Sequence, residues 1–410
     1  MLIPLLLAWT PSLVPQATPD LPDLYALKAS VLETGTGEVI EHAVLLVEGG
    51  KIIIVGEDLV VERGIPVYEL EPHQVVMPGL VNAYTRVGVT GSGPNGVQPW
   101  MHASDELYPA AGEYAKAREA GVTTLGHYPS GNGIPGRSVV VRPKGASASA
   151  MTLKDDAYLK VIMSSSKSAK SSLSGGFKNA DAWHEKEAKN KEKWDKAKEK
   201  FDKEDDEEKK KKLDPGPYKP LKDDPKAVSF MQLRDGSLKA LISVRTAGDY
   251  LHLIDAIGEE KFSWDLRVVM TRDLNIYHVL DKVAASGRRV VLEPEISLHP
   301  GTMRQRNLPA EFARAGIPLV LVPRNDSVSG YEAWRRHVGE IVASGLERSV
   351  AIRAITLEPA ALLGVDDRVG SLEAGKDANI VILSGDPLEP GTQVDAVILE
   401  GELVSGEVNL

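Results

Sequence analysis

The stretch that decides the fold is Val75-Val76-Met77-Pro78-Gly79-Leu80-Val81-Asn82-Ala83-Tyr84-Thr85-Arg86. Its two sides differ in texture. Upstream, residues 24–77 read as short strands: Tyr25–Leu32, Ala43–Val47 and Lys51–Val55 are rich in β-branched and apolar residues, and Gly49-Gly50 is a two-residue hairpin turn. Downstream, strand-like Ser138–Val141, Lys239–Val244, Leu266–Met270, Arg289–Leu292 and Ile317–Val322 are interleaved with helical patterns. The helical patterns are Ala110–Glu119, Asp249–Ile257, Ile276–Ala285, Pro309–Ala315 and Glu332–Ser344. This alternation predicts an α/β fold with a parallel sheet, open or closed into a barrel. Strand texture returns at Ala378–Leu383 and Val394–Leu399.

A second stretch lies near the far end. It runs Ala354-Ile355-Thr356-Leu357-Glu358-Pro359-Ala360, then Gly364-Val365-Asp366-Asp367-Arg368-Val369-Gly370-Ser371-Leu372-Glu373-Ala374-Gly375-Lys376-Asp377-Ala378-Asn379. Together the two stretches resemble the metal-dependent amidohydrolase superfamily, its imidazolonepropionase-like branch in particular. There a Met-Pro-Gly-Leu step leads into the first barrel strand, and a Gly-Ser-Leu-x-x-Gly-Lys-x-Ala-Asp ending closes the chain. Asn379 stands in place of the last Asp. The resemblance implies a TIM-like (β/α)8 barrel over residues 78–360, with a small composite β-sandwich built from residues 21–77 and 361–410.

The resemblance also implies a chemistry. Relatives hold one or two divalent metals such as zinc at the C-terminal mouth of the barrel, where the metal activates a water and polarises the scissile carbonyl. The ligands begin with His-x-His on strand one, whose alternate residues share a face. Here Tyr84 and Arg86 stand at those positions. The family's lysine position, after Gly136-Arg137-Ser138-Val139-Val140-Val141, is Arg142. The later histidine positions fall on Ser243, followed by Arg245, and on Thr271. The final aspartate matches Asp326, the one surviving position and the candidate catalytic group. No metal cofactor is therefore expected.

The nine histidines offer no His-x-His or His-x-x-x-His spacing to replace that set. His127 follows a strand-like run and is expected at the mouth, with His102 and His299 in loops that face it. Arg86 and Arg142, with Arg245 and Arg272 nearby, put fixed positive charge where the metals would sit. They are expected to converge on Asp326 and either close the mouth with ion pairs or bind a small anionic molecule.

Composition narrows the rest. The chain has 410 residues, 42% apolar and 26% charged, as a globular protein does. It has no cysteine, so disulfides, thiolate metal sites and cysteine nucleophiles are excluded. A net charge of −10 argues against a nucleic-acid partner. Leu2–Val14 is mostly apolar and reads as the core of an export signal over residues 1–20, pointing to a periplasmic or extracellular protein, with a buried strand or an anchor as the alternative. After residue 20 no apolar run is long enough to span a membrane. Within an insertion at about 165–225, Lys178–Lys212 has 25 charged residues of 35. Trp183, Trp194 and Phe201 at helical spacing make it a solvated helix or hairpin docked by a few large side chains, or an arm for a partner.

Two functions follow. One is a catalytically inactive pseudo-hydrolase that binds a ligand or serves assembly, with a second copy of the chain as a partner by analogy. The other is an active hydrolase of carbon–nitrogen bonds, in cyclic or peptide-like amides, with an atypical site around Asp326 and His127.

Overall fold

The computed structural model describes residues 21–408 except 92, 94, 272–274 and 300. The expected export segment and Arg272 lie outside the described residues. Two eight-stranded sheets organise the chain.

The first sheet joins both ends of the chain. Leu24–Glu33, Val39–Glu48, Lys51–Glu57, Val67–Glu69 and Val75–Pro78 combine with Ile380–Leu383, Val394–Leu399 and Glu402–Gly406. The sheet rolls until its edge strand Lys51–Glu57 meets the residues leading into Ile380–Leu383: Ile52 N–H donates to the Lys376 carbonyl at 2.9 Å, and Ala378 N–H to that of Gly50 at 2.9 Å. Tyr25, Leu27, Leu45, Ile52, Ile380 and Ile398 fill the roll. The two stretches that resemble the family meet here. Gly79 N–H donates to the Asn379 carbonyl at 2.9 Å, and Pro78 pairs with Ile380. Gly79 has a steric reason to be glycine, since a Cβ there would stand 2.0 Å from Thr123 Oγ1.

The second sheet is the barrel. Its strands follow chain order: Leu80–Thr85, Val122–His127, Gly136–Val141, Thr152–Ile162, Ala240–Val244, Trp264–Val268, Val290–Leu292 and Leu319–Leu321. The seam between the last and the first is bridged by two residues: Leu321 N–H donates to the Ala354 carbonyl at 2.8 Å, and Val81 N–H to that of Ile355 at 3.0 Å. Val81, Ala83, Tyr158, Leu241, Val291 and Val320 pack inside. The outer helices pack a larger core around Trp334, Phe312, Tyr250 and Leu253. One strand departs from the expected parallel pattern. Gly136–Val141 runs antiparallel to both of its neighbours, so its C-terminal end lies at the bottom of the barrel.

The charged insertion is a 36-residue helix, Lys167–Asp202. Its first turns bury Leu173, Gly176, Phe177 and Ala180 against the barrel layer, and Phe230 packs so closely that a Cβ on Gly176 would meet its ring at 2.0 Å. The remainder is backed by its own returning strand of chain. Trp194 Nε1 donates to the Gly216 carbonyl at 3.0 Å, Asn190 Nδ2 to that of Lys219 at 3.0 Å, and Leu221 N–H to Glu187 Oε2 at 2.9 Å. Trp183 and Trp194 thus dock on the return segment and not on the barrel. Cutting out Lys178–Lys212 would remove buried Ala180 and Asp181, the partner of Arg234 at 2.6 Å. Deleting residues 184–221 and joining Trp183 to Lys222 through a short Gly/Ser bridge should leave the thermal midpoint within a few degrees of the parent. A deletion variant recovered only as aggregate would show that the arm supports the barrel.

Candidate functional site

The mouth is assembled by the ends of the first, second, fourth and sixth strands. Strand one carries an irregularity between Asn82 and Thr85, where Asn82 Oδ1 accepts from Tyr84 N–H at 3.2 Å. This bulge turns Tyr84 into the barrel and Thr85 outward. Tyr84 stacks on Tyr128, centroids 3.9 Å apart and planes at 18°. A cation covers each outer face: Arg267 Cζ lies 4.2 Å from the Tyr84 centroid, and Lys160 Nζ 4.4 Å from that of Tyr128. The mouth is thus filled by four layers, cation–ring–ring–cation. Buried Ser243 lies beside Tyr84.

Each cation is held in place. Arg267 Nη2 meets Glu293 Oε1 at 2.8 Å. Lys160 Nζ donates to the carbonyls of Pro129 at 3.0 Å and Gly131 at 3.2 Å, and it contacts no carboxylate among the described residues. Burial, then the charges of Arg86 and Arg267, pull its pKa down to about 8. Burial raises the Tyr84 phenol, an effect opposed by Arg267. Burial also raises Tyr128, and Asp326 adds to it.

Asp326 lies five residues beyond the last barrel strand, Leu319–Leu321, in the loop just ahead of the helix Val328–Ala343, and its partners are neutral. Thr85 Oγ1 donates to Oδ1 at 2.6 Å, while Arg86 N–H at 2.9 Å and the Tyr128 hydroxyl at 3.1 Å donate to Oδ2. A chain of donors backs Thr85: Tyr331 O–H stands 2.9 Å from its hydroxyl, and Asn82 Nδ2 donates to Tyr331 at 3.4 Å. The Arg86 guanidinium turns away to Glu106 at 2.7 Å and to the Gly91 and Tyr128 carbonyls, both at 3.1 Å. Because Asp326 is exposed and unpaired with any guanidinium, water can replace its bonds. Asp326→Ala should therefore cost only about 1 kcal/mol in urea unfolding.

The other expected site residues disperse. Arg142 does not reach the mouth: its strand runs antiparallel, so the side chain emerges at the bottom and pairs with Glu400. His127 is fully buried below the mouth, Nδ1 3.2 Å from the Thr85 carbonyl and Nε2 3.4 Å from the Tyr114 hydroxyl. Arg245 is exposed at a strand end, where its N–H donates to Asp249 Oδ2 at 3.2 Å. Asp249 closes a capping box with Thr246. Thr271 is exposed on a cavity at the rim, which half-buried His299 also lines. His102 lies 2.9 Å from Asp156. The convergence of Arg86 and Arg142 on Asp326 is thus replaced by Arg86–Glu106 and Arg267–Glu293, with Lys160 and Asp326 left over. Three cations face three carboxylates, so the expected positive excess does not arise.

Lys160, Tyr128, Arg267, Glu293 and Glu106 were not legible as site residues. The available signal was alternation: Ala157, Leu159 and Val161 are buried on one phase of a strand whose other phase is Tyr158 and Lys160.

The metal implied by the fold family finds no matching donor set. Tyr84 is closed between a cation and a ring, Arg86 is a fixed cation, and Lys160 and Arg267 add two more positive charges. Among the described residues, no group of three or more His, Asp or Glu is arranged to hold a metal ion.

The sequence model of the amidohydrolase family matches residues 335–404. A protein of Escherichia coli (strain K12) with the provisional name N-acetylgalactosamine-6-phosphate deacetylase is 30% identical over 119 residues, 29% of this chain; the match spans 59% of that protein's length. An amidohydrolase from Thermotoga maritima MSB8 superposes with a TM-score of 0.75 at 20% identity, covering 93% of this chain and all of that one. A prolidase complexed with N-methylphosphonate-L-proline gives 0.53 at 14% identity, over 94% of this chain and all of the other. The Gly79–Asn379 junction and the barrel it closes give this chain the fold of the solved amidohydrolases, and its residues 335–404 match that family's sequence model.

Proposed function

We propose that this amidohydrolase-superfamily barrel does not carry out the family's metal-assisted hydrolysis and serves as a non-catalytic binding or assembly subunit. The observation that carries this reading is the Lys160–Tyr128–Tyr84–Arg267 stack. A divalent ion brought to this mouth meets buried Lys160, whose ammonium contacts no carboxylate among the described residues, and two rings in place of imidazoles, and like charge in a site of reduced dielectric is costly. Asp326 adds to this reading, because its Oδ2 already accepts two hydrogen bonds and its Oδ1 one, leaving the carboxylate oriented by the protein itself.

The test is elemental analysis of the purified full chain, before and after incubation with zinc and manganese followed by dialysis. Metal far below one equivalent per chain is expected, with no hydrolysis of cyclic amides or Xaa-Pro dipeptides. One equivalent of zinc, manganese or iron retained through dialysis, with turnover of any such amide, overturns the reading. In that case the chain is an active carbon–nitrogen hydrolase whose mouth rearranges on loading.

A further inference from the structure

A small cavity of about 190 Å³ lies where two outer helices, Glu113–Glu119 and Val328–Ala343, meet the connection between Ile380–Leu383 and Val394–Leu399. The helical layer and the rolled sheet thus both contribute to its wall. Each wall segment runs unbroken through the described residues. Taking the volume of a molecule in liquid water, the cavity has room for about six non-hydrogen atoms.

One wall residue is a buried cation. Arg335 is 9% exposed, and its guanidinium donates to the carbonyls of Pro387 at 3.0 Å and Thr392 at 3.1 Å. Among the described residues no carboxylate pairs with it, so two neutral acceptors orient the charge without neutralising it. Burial pulls its pKa down to about 10. The opening carries exposed charges of both signs, Arg336, Glu332 and Glu389, and none of the three closes an ion pair among the described residues. The neighbouring charges are engaged elsewhere. Lys116 meets Glu119 at 2.8 Å, Asp386 meets Arg348 at 2.9 Å, and Asp395 accepts from Gln74 at 2.7 Å. Two cations and two carboxylates therefore face one small space without joining one another.

We propose that this cavity binds a small zwitterion, a free amino acid with a short side chain, its carboxylate on Arg335 and its ammonium on Glu332 and Glu389. A carboxylate meeting a guanidinium out of water makes the strong, charge-assisted kind of hydrogen bond. A simple anion would have to pass the two glutamates to reach Arg335. A simple cation would be held only by exposed carboxylates, which contribute little. A molecule that carries both charges a few bonds apart is attracted at both ends, and each singly charged relative is penalised at one. The proposal does not rest on the absence of hydrolysis: no member of the Lys160–Arg267 stack lines this cavity.

The experiment titrates the full chain with L-alanine, propionate and propylammonium by isothermal calorimetry. Alanine should bind at least about tenfold more tightly than either singly charged probe. Combining Glu332→Gln with Glu389→Gln should bring alanine down to the affinity of propionate, because both changes remove charge and keep shape at exposed positions. Arg335→Met should abolish alanine binding. Since Arg335 also ties two carbonyls and its loss can unfold the chain, the double glutamine variant decides the matter by itself. Equal affinity for the three probes, an unchanged alanine affinity in the double variant, or no alanine binding overturns the proposal. Metal content and hydrolysis are measured separately, so failure here leaves the reading of the mouth where it stood.

Discussion

Arg137→Met should lower the free energy of unfolding by about 3 kcal/mol, because it breaks a nearly buried ion pair and strands several polar partners. Arg137 is 7% exposed and ties four segments together. Its Nη1 meets Asp156 Oδ2 at 2.6 Å, Nε the Pro99 carbonyl at 2.9 Å, and Nη2 Ser229 Oγ at 2.8 Å and Gln232 Oε1 at 2.6 Å. Asp156 has a left-handed backbone, with φ of +55°, so the clamp also holds a strained turn of the chain in place. Methionine keeps the packing and loses the bonds. Asp156→Asn should cost clearly less, since the amide can still accept from Arg137. Urea unfolding of the two variants checks the order; equal losses would show that the ion pair, and not the other hydrogen bonds of the guanidinium, carries the effect.

Acidification should reveal the second large effect. His127 has no exposed surface, and burial pulls its pKa from 6.5 to about 4. Its Nδ1–H donates to the Thr85 carbonyl and its Nε2 accepts from the Tyr114 hydroxyl, which fixes the neutral ring. The unfolded chain takes up a proton near pH 6.5, whereas the folded chain takes one up only near pH 4. Between those values the unfolded state binds more protons, so stability falls as pH falls through that window. The loss totals about 3 kcal/mol at its lower end and is absent above pH 6.5. His127→Asn, which keeps a donor toward Thr85, should remove this part of the acid sensitivity. Carboxylates titrate over the same range, so the quantity to compare is the difference between variant and parent as pH is lowered from 7 to 4. Parallel curves would show that His127 is charged in the folded protein.

The frame of this molecule was legible because its signals are local. Met77-Pro78-Gly79-Leu80 requires a glycine against Thr123, and the ending through Asn379 supplies the carbonyl that meets it. The direction of Gly136–Val141 was not legible: all six of its residues are buried, so no alternation marks a face, and nothing in the run distinguishes parallel from antiparallel. That reversal sends Arg142 to the bottom. Thr152–Ile162 was hidden by Lys154, Asp155 and Asp156, which read as a loop until Arg137 and the bulge at Asp156 account for them. Tyr84 reaches the stack through a backbone irregularity that no pattern of side chains announces. The candidate site was therefore found by position and missed in composition. Arg267, Glu293 and Lys160 are charges whose partners come from other strands or from distant carbonyls, and such pairings appear only when the barrel is closed.

The rolled sheet has a consequence in time. Val75–Pro78 is sandwiched between Leu24–Glu33 and Ile380–Leu383, and Gln74 bonds to Asp395, 321 positions later, at 2.7 Å. During synthesis the amino-terminal strands leave the ribosome long before their neighbours exist, and they must hold an unsatisfied edge while the whole barrel is made. A ribosome that stalls after the barrel but before Ile380 would release a chain with that edge still open. The last strands to be made are thus the ones that render the first ones safe.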